Sequence, residues 1–148
     1  MNAIVQHHSR ASDRRTVAIV GGGLSGSLFA LKLSTEKPDW KILLVEEALH
    51  PGRGLAYGAC APHHLLNVPV KRMEVGLRPP FTDWLRHRPS LLIDALDESG
   101  GKPEGAYVPR QLFGDYIQQQ TEKALRRTLR LVQSRAVAIA PDSSPASC

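Results

Sequence analysis

Three glycines at fixed spacing, Gly21, Gly23 and Gly26, stand between two apolar runs, and no other feature of the 148 residues limits the fold so tightly. The first run, Thr16-Val-Ala-Ile-Val20, ends at the glycine cluster, as a buried strand of a parallel sheet does. After the glycines, Leu24, Leu28, Leu31 and Leu33, with Phe29 and Ala30, predict the apolar face of a helix running to about Thr35, before Pro38 forbids continuation. Lys41 to Glu46 then reads as a second strand that ends in an acid. The pattern is a βαβ unit of an α/β protein with a parallel sheet.

Each glycine answers a separate steric problem. At G-x-G-x-x-G spacing, Gly21 permits a tight turn, Gly23 lets a pyrophosphate approach the backbone, and Gly26 lets helix and strand pack closely. Gly22, Leu24 and Ser25 complete the turn and the helix start. Free N–H groups and the positive end of the helix dipole favour an anion there by roughly 0.3–1 kcal/mol when exposed and up to about 2 when partly buried. Glu46, twenty residues after Gly26, lies near the distance at which an acid accepts hydrogen bonds from an adenosine ribose. An acid there repels a 2′-phosphate, so the pocket suits FAD or NAD better than NADP.

The composition is that of one globular domain, 42% hydrophobic and 22% charged. The net charge of +5 does not mark a nucleic-acid binder, because its late basic residues, Lys123, Arg126, Arg127 and Arg130, fit a solvated helix face and aromatics are few. Cys60 and Cys148 form no metal or redox motif, which points to a reduced, cytoplasmic setting. Met1 to Arg15 lacks the apolar core of a secretory signal and reads as a flexible leader. No run reaches the roughly 18 apolar residues that span a bilayer. His50, His63 and His64 lack helical spacing and nearby carboxylates in the sequence, so no metal site is expected.

Beyond Glu46 the chain is rich in glycine and proline from Ala48 to Pro80, and a connection that long implies function. Within it, Gly52-Arg53-Gly54-Leu55-Ala56-Tyr57-Gly58 would bring backbone close to a ligand, with Arg53 either facing a phosphate or standing as a surface charge. His64-Leu65-Leu66-Asn67-Val68-Pro69 sets a polar Asn67 in an apolar run, as a contact or as a turn residue. Phe81 to Arg88 predicts a short core helix ended by Pro89, and Leu91 to Leu96 a second apolar piece. The longest helix opens around Tyr107 to Tyr116 and is expected to reach about Leu129. Leu131 to Ile139 alternates and predicts a third strand, and Pro141 to Cys148 a flexible tail.

The ordered set of Gly21-x-Gly23-x-x-Gly26, Glu46, Gly52 to Gly58, Leu65 to Pro69, Phe81-x-x-Trp84-Leu85 and Pro109-Arg110-x-x-x-Gly114-x-Tyr116 resembles the N-terminal part of an FAD/NAD(P)-binding family. Its members are bacterial two-dinucleotide flavoproteins, urate-hydroxylase-like and related to N-hydroxylating monooxygenases. The resemblance covers about Thr16 to Ala140. It implies a Rossmann-like domain in which the glycines and Glu46 bind the ADP half of FAD, with NAD(P)H as a possible reductant. It also implies that Arg53, Gly54, Tyr57, Asn67 and Arg110 lie along or near the cofactor. No general acid or base is identified, so catalytic residues remain unassigned. The disulfide-reductase branch is disfavoured by the lack of a cysteine pair.

Family members run several hundred residues, so the resemblance implies the FAD-binding part alone, an incomplete domain over 16–140. Three parallel strands in order 3-2-1 leave the first with an unpaired edge, an association hazard that a second chain or an oligomer would cover. Two other readings stay open. One is a non-catalytic remnant or module holding an adenine nucleotide weakly, and the other is an NAD-dependent dehydrogenase.

Overall fold

The computed structural model describes residues 15–58, 61, 63–92 and 100–140. The expected leader before Arg15, Cys60, Cys148, the tail from Pro141, and most of the apolar piece after Leu92 lie outside the described residues. Seven main elements follow in order: β1 (Thr16–Val20), α1 (Leu24–Glu36), β2 (Lys41–Glu46), α2 (Gly54–Gly58), α3 (Phe81–Arg86), α4 (Arg110–Leu125) and β3 (Leu129–Gln133). Short 3₁₀ turns occur at Val70–Met73, Pro89–Leu91 and Pro103–Gly105.

The fold is α/β and Rossmann-like, a three-stranded parallel sheet in the order β1-β2-β3 with helices packed on it. Register sets Ile19 beside Leu44 and Leu44 beside Leu131, and one residue earlier it sets Ala18, Leu43 and Arg130 in line on the opposite face. The first row meets the helices. The second does not, and β1 therefore departs from the doubly buried strand its apolar run predicts: only Ile19 is buried, and Val20 is 59% exposed. Strand composition states a preference for burial, and the covering layer that would meet it on this face is not among the described residues.

Helix α1 also corrects the expected face. Its buried residues are Ser27, Ala30, Leu31 and Ser34, an i, i+3, i+4, i+7 stripe, while Phe29 falls off that stripe and is 57% exposed. The two serines tolerate burial because each hydroxyl donates to a nearby carbonyl, Ser27 to Gly22 at 2.9 Å and Ser34 to Leu31 at 2.8 Å.

Helix α4 stops at Leu125, earlier than expected, and Leu129 belongs to β3. Strand β3 in turn ends at Gln133, opposite Glu46, instead of continuing to Ile139. Alternation tells which face a residue prefers, but a strand lasts only as long as its neighbour: β2 ends at Glu46, and Val137 and Ile139 are 89% and 94% exposed. The short α3 ends at Arg86, two residues before the expected limit.

Two hydrophobic clusters hold these layers. An aliphatic one under the sheet joins Ile19, Ala30, Ile42, Leu44 and Leu129. A larger one joins Leu66, Val70, Phe81, Trp84, Leu85, Leu92, Ala106, Val108, Phe113, Tyr116 and Ile117, with the rings of Phe81, Phe113 and Tyr116 mutually within 5.1–6.0 Å. The long connection after β2 is therefore no loose loop. Residues 64–70 run antiparallel to 106–110 through Leu66 N to Val108 O (2.8 Å) and Val70 N to Ala106 O (3.0 Å). Glu74 accepts from the Phe81 and Thr82 amides, each at 2.9 Å, so its carboxylate anchors the start of α3.

Candidate functional site

The glycine turn has the tight bend at Gly21 and the close helix–strand packing at Gly26 that its spacing assigns. Gly21 has φ of +93°, a conformation that L side chains rarely adopt, and its amide donates to Val45 O at 2.9 Å, tying the turn to β2. A Cβ on Gly26 would lie 1.9 Å from Gly21 O and 3.5 Å from Ile19 Cγ2, so only glycine lets α1 sit this close to β1. Gly23 is the N-cap of α1, and no side chain caps the helix. The first-turn amides consequently have no intrahelical acceptor.

Those amides open into a cleft of about 370 Å³ lined by Val20, Gly21, Gly23, Leu24, Ser25, Gly26, Arg53, Gly54, Leu55, Ala56 and Tyr57. The far wall is α2. It approaches because both sides lack side chains at the crossing, where a Cβ on Gly23 would lie 3.6 Å from the Gly54 Cα. Gly54 has φ of +58° and Gly52 of +124°, so the chain enters α2 through two positions that favour glycine. A Cβ on Gly52 would meet the Gln118 backbone at 2.7 Å, and one on Gly114 would meet Tyr57 O at 2.7 Å. The second glycine-rich segment is thus pressed between the turn and α4.

Glu46 stands at the other side of the turn. Its Oε2 accepts from the Gly22 amide at 2.6 Å and its Oε1 from the Ala48 amide at 3.0 Å. These bonds, that to Ala48 first and that to Gly22 second, hold its carboxyl below the ordinary value of 4.5 against a smaller opposing effect of burial. The group is anionic and fixed in place, and each oxygen keeps lone-pair capacity for a further donor.

Of the residues singled out from sequence, Gly21, Gly23, Leu24, Ser25, Gly26, Arg53, Gly54 and Tyr57 line this one cleft, and Gly22 and Glu46 are bonded together beside it. Arg53 is held sideways: its Nε donates to Gln118 Oε1 at 2.6 Å and its Nη2 lies 2.5 Å from Asp115 Oδ1. Tyr57 packs edge-on against Phe113, with centroids 5.3 Å apart. Arg110 and Asn67 do not line the cleft. Arg110 joins α4 to the preceding segment, its backbone amide donating to His64 O at 2.8 Å and its Nε to Leu65 O at 3.1 Å, and Asn67 is exposed.

Sequence reasoning missed Asp115 and Gln118, the holders of Arg53. They sit on α4 at i, i+3 spacing, a sign that they share a face but not of what they meet. It also missed the carboxylate beside His50, whose Nδ1 lies 3.1 Å from Glu122 Oε1, more than seventy positions away in the chain. Among the described residues, no group of three or more His, Cys, Asp or Glu is placed to hold a metal ion, and no helix is long and apolar enough to cross a membrane.

A strand, a glycine turn, uncapped helix amides and an acid at the end of the next strand together define a dinucleotide-binding protein. Residues 18–146 match the FAD-NAD(P)-binding family model, and the chain belongs to that family. No curated protein matches the sequence.

Proposed function

We propose that the chain is the FAD-binding part of a flavin-dependent oxidoreductase or monooxygenase, related to the urate-hydroxylase-like and N-hydroxylating flavoproteins. One observation carries the reading: Gly54 at the start of α2 stands against Gly23 at the uncapped start of α1, so the turn faces an open cleft with a wall along one side. A simple dinucleotide domain has no need of the segment that supplies this wall. The dinucleotide fits the residues present, since a Cβ on Gly23 would enter the cleft and the first-turn amides there await an anionic acceptor.

FAD, when bound, supplies the hydride or electron transfer. In this reading the chain's own groups position it. The amides at Leu24, Ser25 and Gly26 receive the pyrophosphate, Glu46 accepts from the adenosine ribose, and Tyr57 and Gly54 bound the cofactor's path. Glu46 also disfavours a 2′-phosphate. Arg53 stands at the rim with its guanidinium paired to Asp115, so it offers hydrogen-bond donors there and no net charge. Arg110 holds the segment before Asn67 in place. NAD(P)H would serve as reductant, and a second chain or further strands would cover the free edge of β1, in a cytoplasmic setting.

A second reading rests on the cleft's volume of about 370 Å³, near the lower end of the roughly 300–1,000 Å³ typical of ligand pockets. It holds that the described residues grip only an adenine nucleotide, and weakly. The visible spectrum of the purified protein, before and after heat release, separates the two. Flavin released at about one per chain supports the first reading. A colourless, folded protein that binds ADP and FAD equally overturns it, and tighter binding of NAD than of FAD points to a nicotinamide dehydrogenase.

A further inference from the structure

At the opposite end of α1 from the glycine turn lies a larger groove, of about 510 Å³, between the last turns of α1, the Gly76–Arg78 segment and the end of α4. Its walls are apolar at Leu31, Leu77 and Ala124, and its rim carries Arg78, Lys123 and Arg127. No carboxylate lines it among the described residues. None of the three cations has an ion pair or side-chain hydrogen bond among the described residues.

Lys123 and Arg127 complement the negative ends of the two helices. Those ends carry roughly half an elementary charge each, about one negative charge against three positive, so an excess near two remains. Arg78 comes from a different element and has no helix end of its own. Ser34 and Thr35 already spend their hydroxyl hydrogens on Leu31 O, so they do not supply donors here.

Gln120 lines the same groove and is only 7% exposed. Its Nε2 is buried without a hydrogen-bond partner among the described residues. An amide in that state carries a desolvation cost, and its lack of accessible surface puts it beneath the groove wall, out of reach of a bound molecule. Three unpaired cations and an apolar floor describe a receptor for an anion that carries an apolar body.

We propose that this groove binds a small organic phosphate, its phosphate met by Arg78, Lys123 and Arg127 and its apolar part lying on Leu31, Leu77 and Ala124. The site is separate from the dinucleotide cleft and shares no lining residue with it.

The test is titration of the ¹⁵N-labelled full chain with phenyl phosphate, inorganic phosphate and phenol, followed at backbone amides. Phenyl phosphate is expected to shift Gly76, Leu77, Arg78, Lys123, Arg127 and Thr128, more tightly than inorganic phosphate, with phenol weakest. Lys123→Gln combined with Arg127→Gln is expected to weaken phenyl phosphate by about tenfold or more, with the far-ultraviolet spectrum unchanged. Shifts confined to Leu24, Ser25 and Gly26, no shifts with 10 mM phenyl phosphate, or unchanged affinity in the double variant would each overturn the proposal.

Discussion

The two halves of the molecule reach burial by opposite means. Under the sheet, five aliphatic and small residues from β1, α1, β2 and β3 form a thin core, and the described residues leave the other sheet face uncovered. Beside it, eleven residues drawn mostly from the segment between β2 and α4, four of them aromatic, form a thicker one. Helices α1 and α4 span both: Leu24 and Leu28 pack on the aromatic cluster and Leu33 on the aliphatic one, as Leu112 and then Ala124 and Leu125 do on α4. The cleft lies where the halves meet. The part with regular secondary structure thus supplies the glycine turn, while the irregular part supplies most of the buried volume and the opposing wall.

The largest expected difference between the halves is in stability. Phe113→Ala empties a fully buried ring from the centre of the aromatic cluster and is expected to cost about 3–5 kcal/mol, whereas Ile19→Val in the sheet core should cost about 0.5–1.5 kcal/mol. Urea unfolding of both variants checks this. Equal losses would mean that the aromatic cluster is not the principal store of stability.

Next comes the seam. Gly52→Ala places a methyl against the backbone of α4 at a φ of +124°, and is expected to cost about 2 kcal/mol or more. Gly23→Ala should do the reverse. Its φ of −68° suits alanine and its Cβ would meet only the Gly54 Cα at 3.6 Å, so stability is expected to hold within about 1 kcal/mol while FAD affinity falls tenfold or more. Calorimetric titration beside thermal melts separates the effects. A Gly23→Ala variant that binds FAD normally would remove the pyrophosphate from this turn.

The smallest expected effect is electrostatic. The folded-state pKa of Glu46 lies below its ordinary 4.5, so its contribution to stability is present above that value and is lost as pH falls through the lower folded value. Glu46→Gln should therefore flatten the pH dependence of the urea midpoint below pH 4.5 and change it little between pH 6 and 8 beyond a constant offset. An unchanged acid slope would mean that the bonds to Ala48 and Gly22 do not persist in solution.

What the sequence reveals follows the same division. β1, the turn, α1 and β2 were legible because each is announced by neighbours a few positions away: an apolar run, a glycine, a helical stripe. Phe29 misled because a large apolar residue is a weaker guide than the stripe of Ser27, Ala30, Leu31 and Ser34. Arg53 was legible as a cleft residue. Its tether was not, since Asp115 and Gln118 lie more than sixty positions onward and nothing local couples them. The span 48–80 read as a loop because its order comes from Val108, Ala106 and Phe113, partners that no local pattern names.

The sheet's connectivity also orders events in time. Ile19 meets Leu44 across a single βαβ crossover, while Leu44 meets Leu131 only after a separation roughly three and a half times greater, an added closure cost of about 1 kcal/mol. Residues 16–46 can dock while the rest of the chain is still searching, and β3 joins last, once the intervening aromatic cluster has drawn its ends together. On a ribosome, the glycine turn would emerge and take shape well before the third strand that joins its sheet.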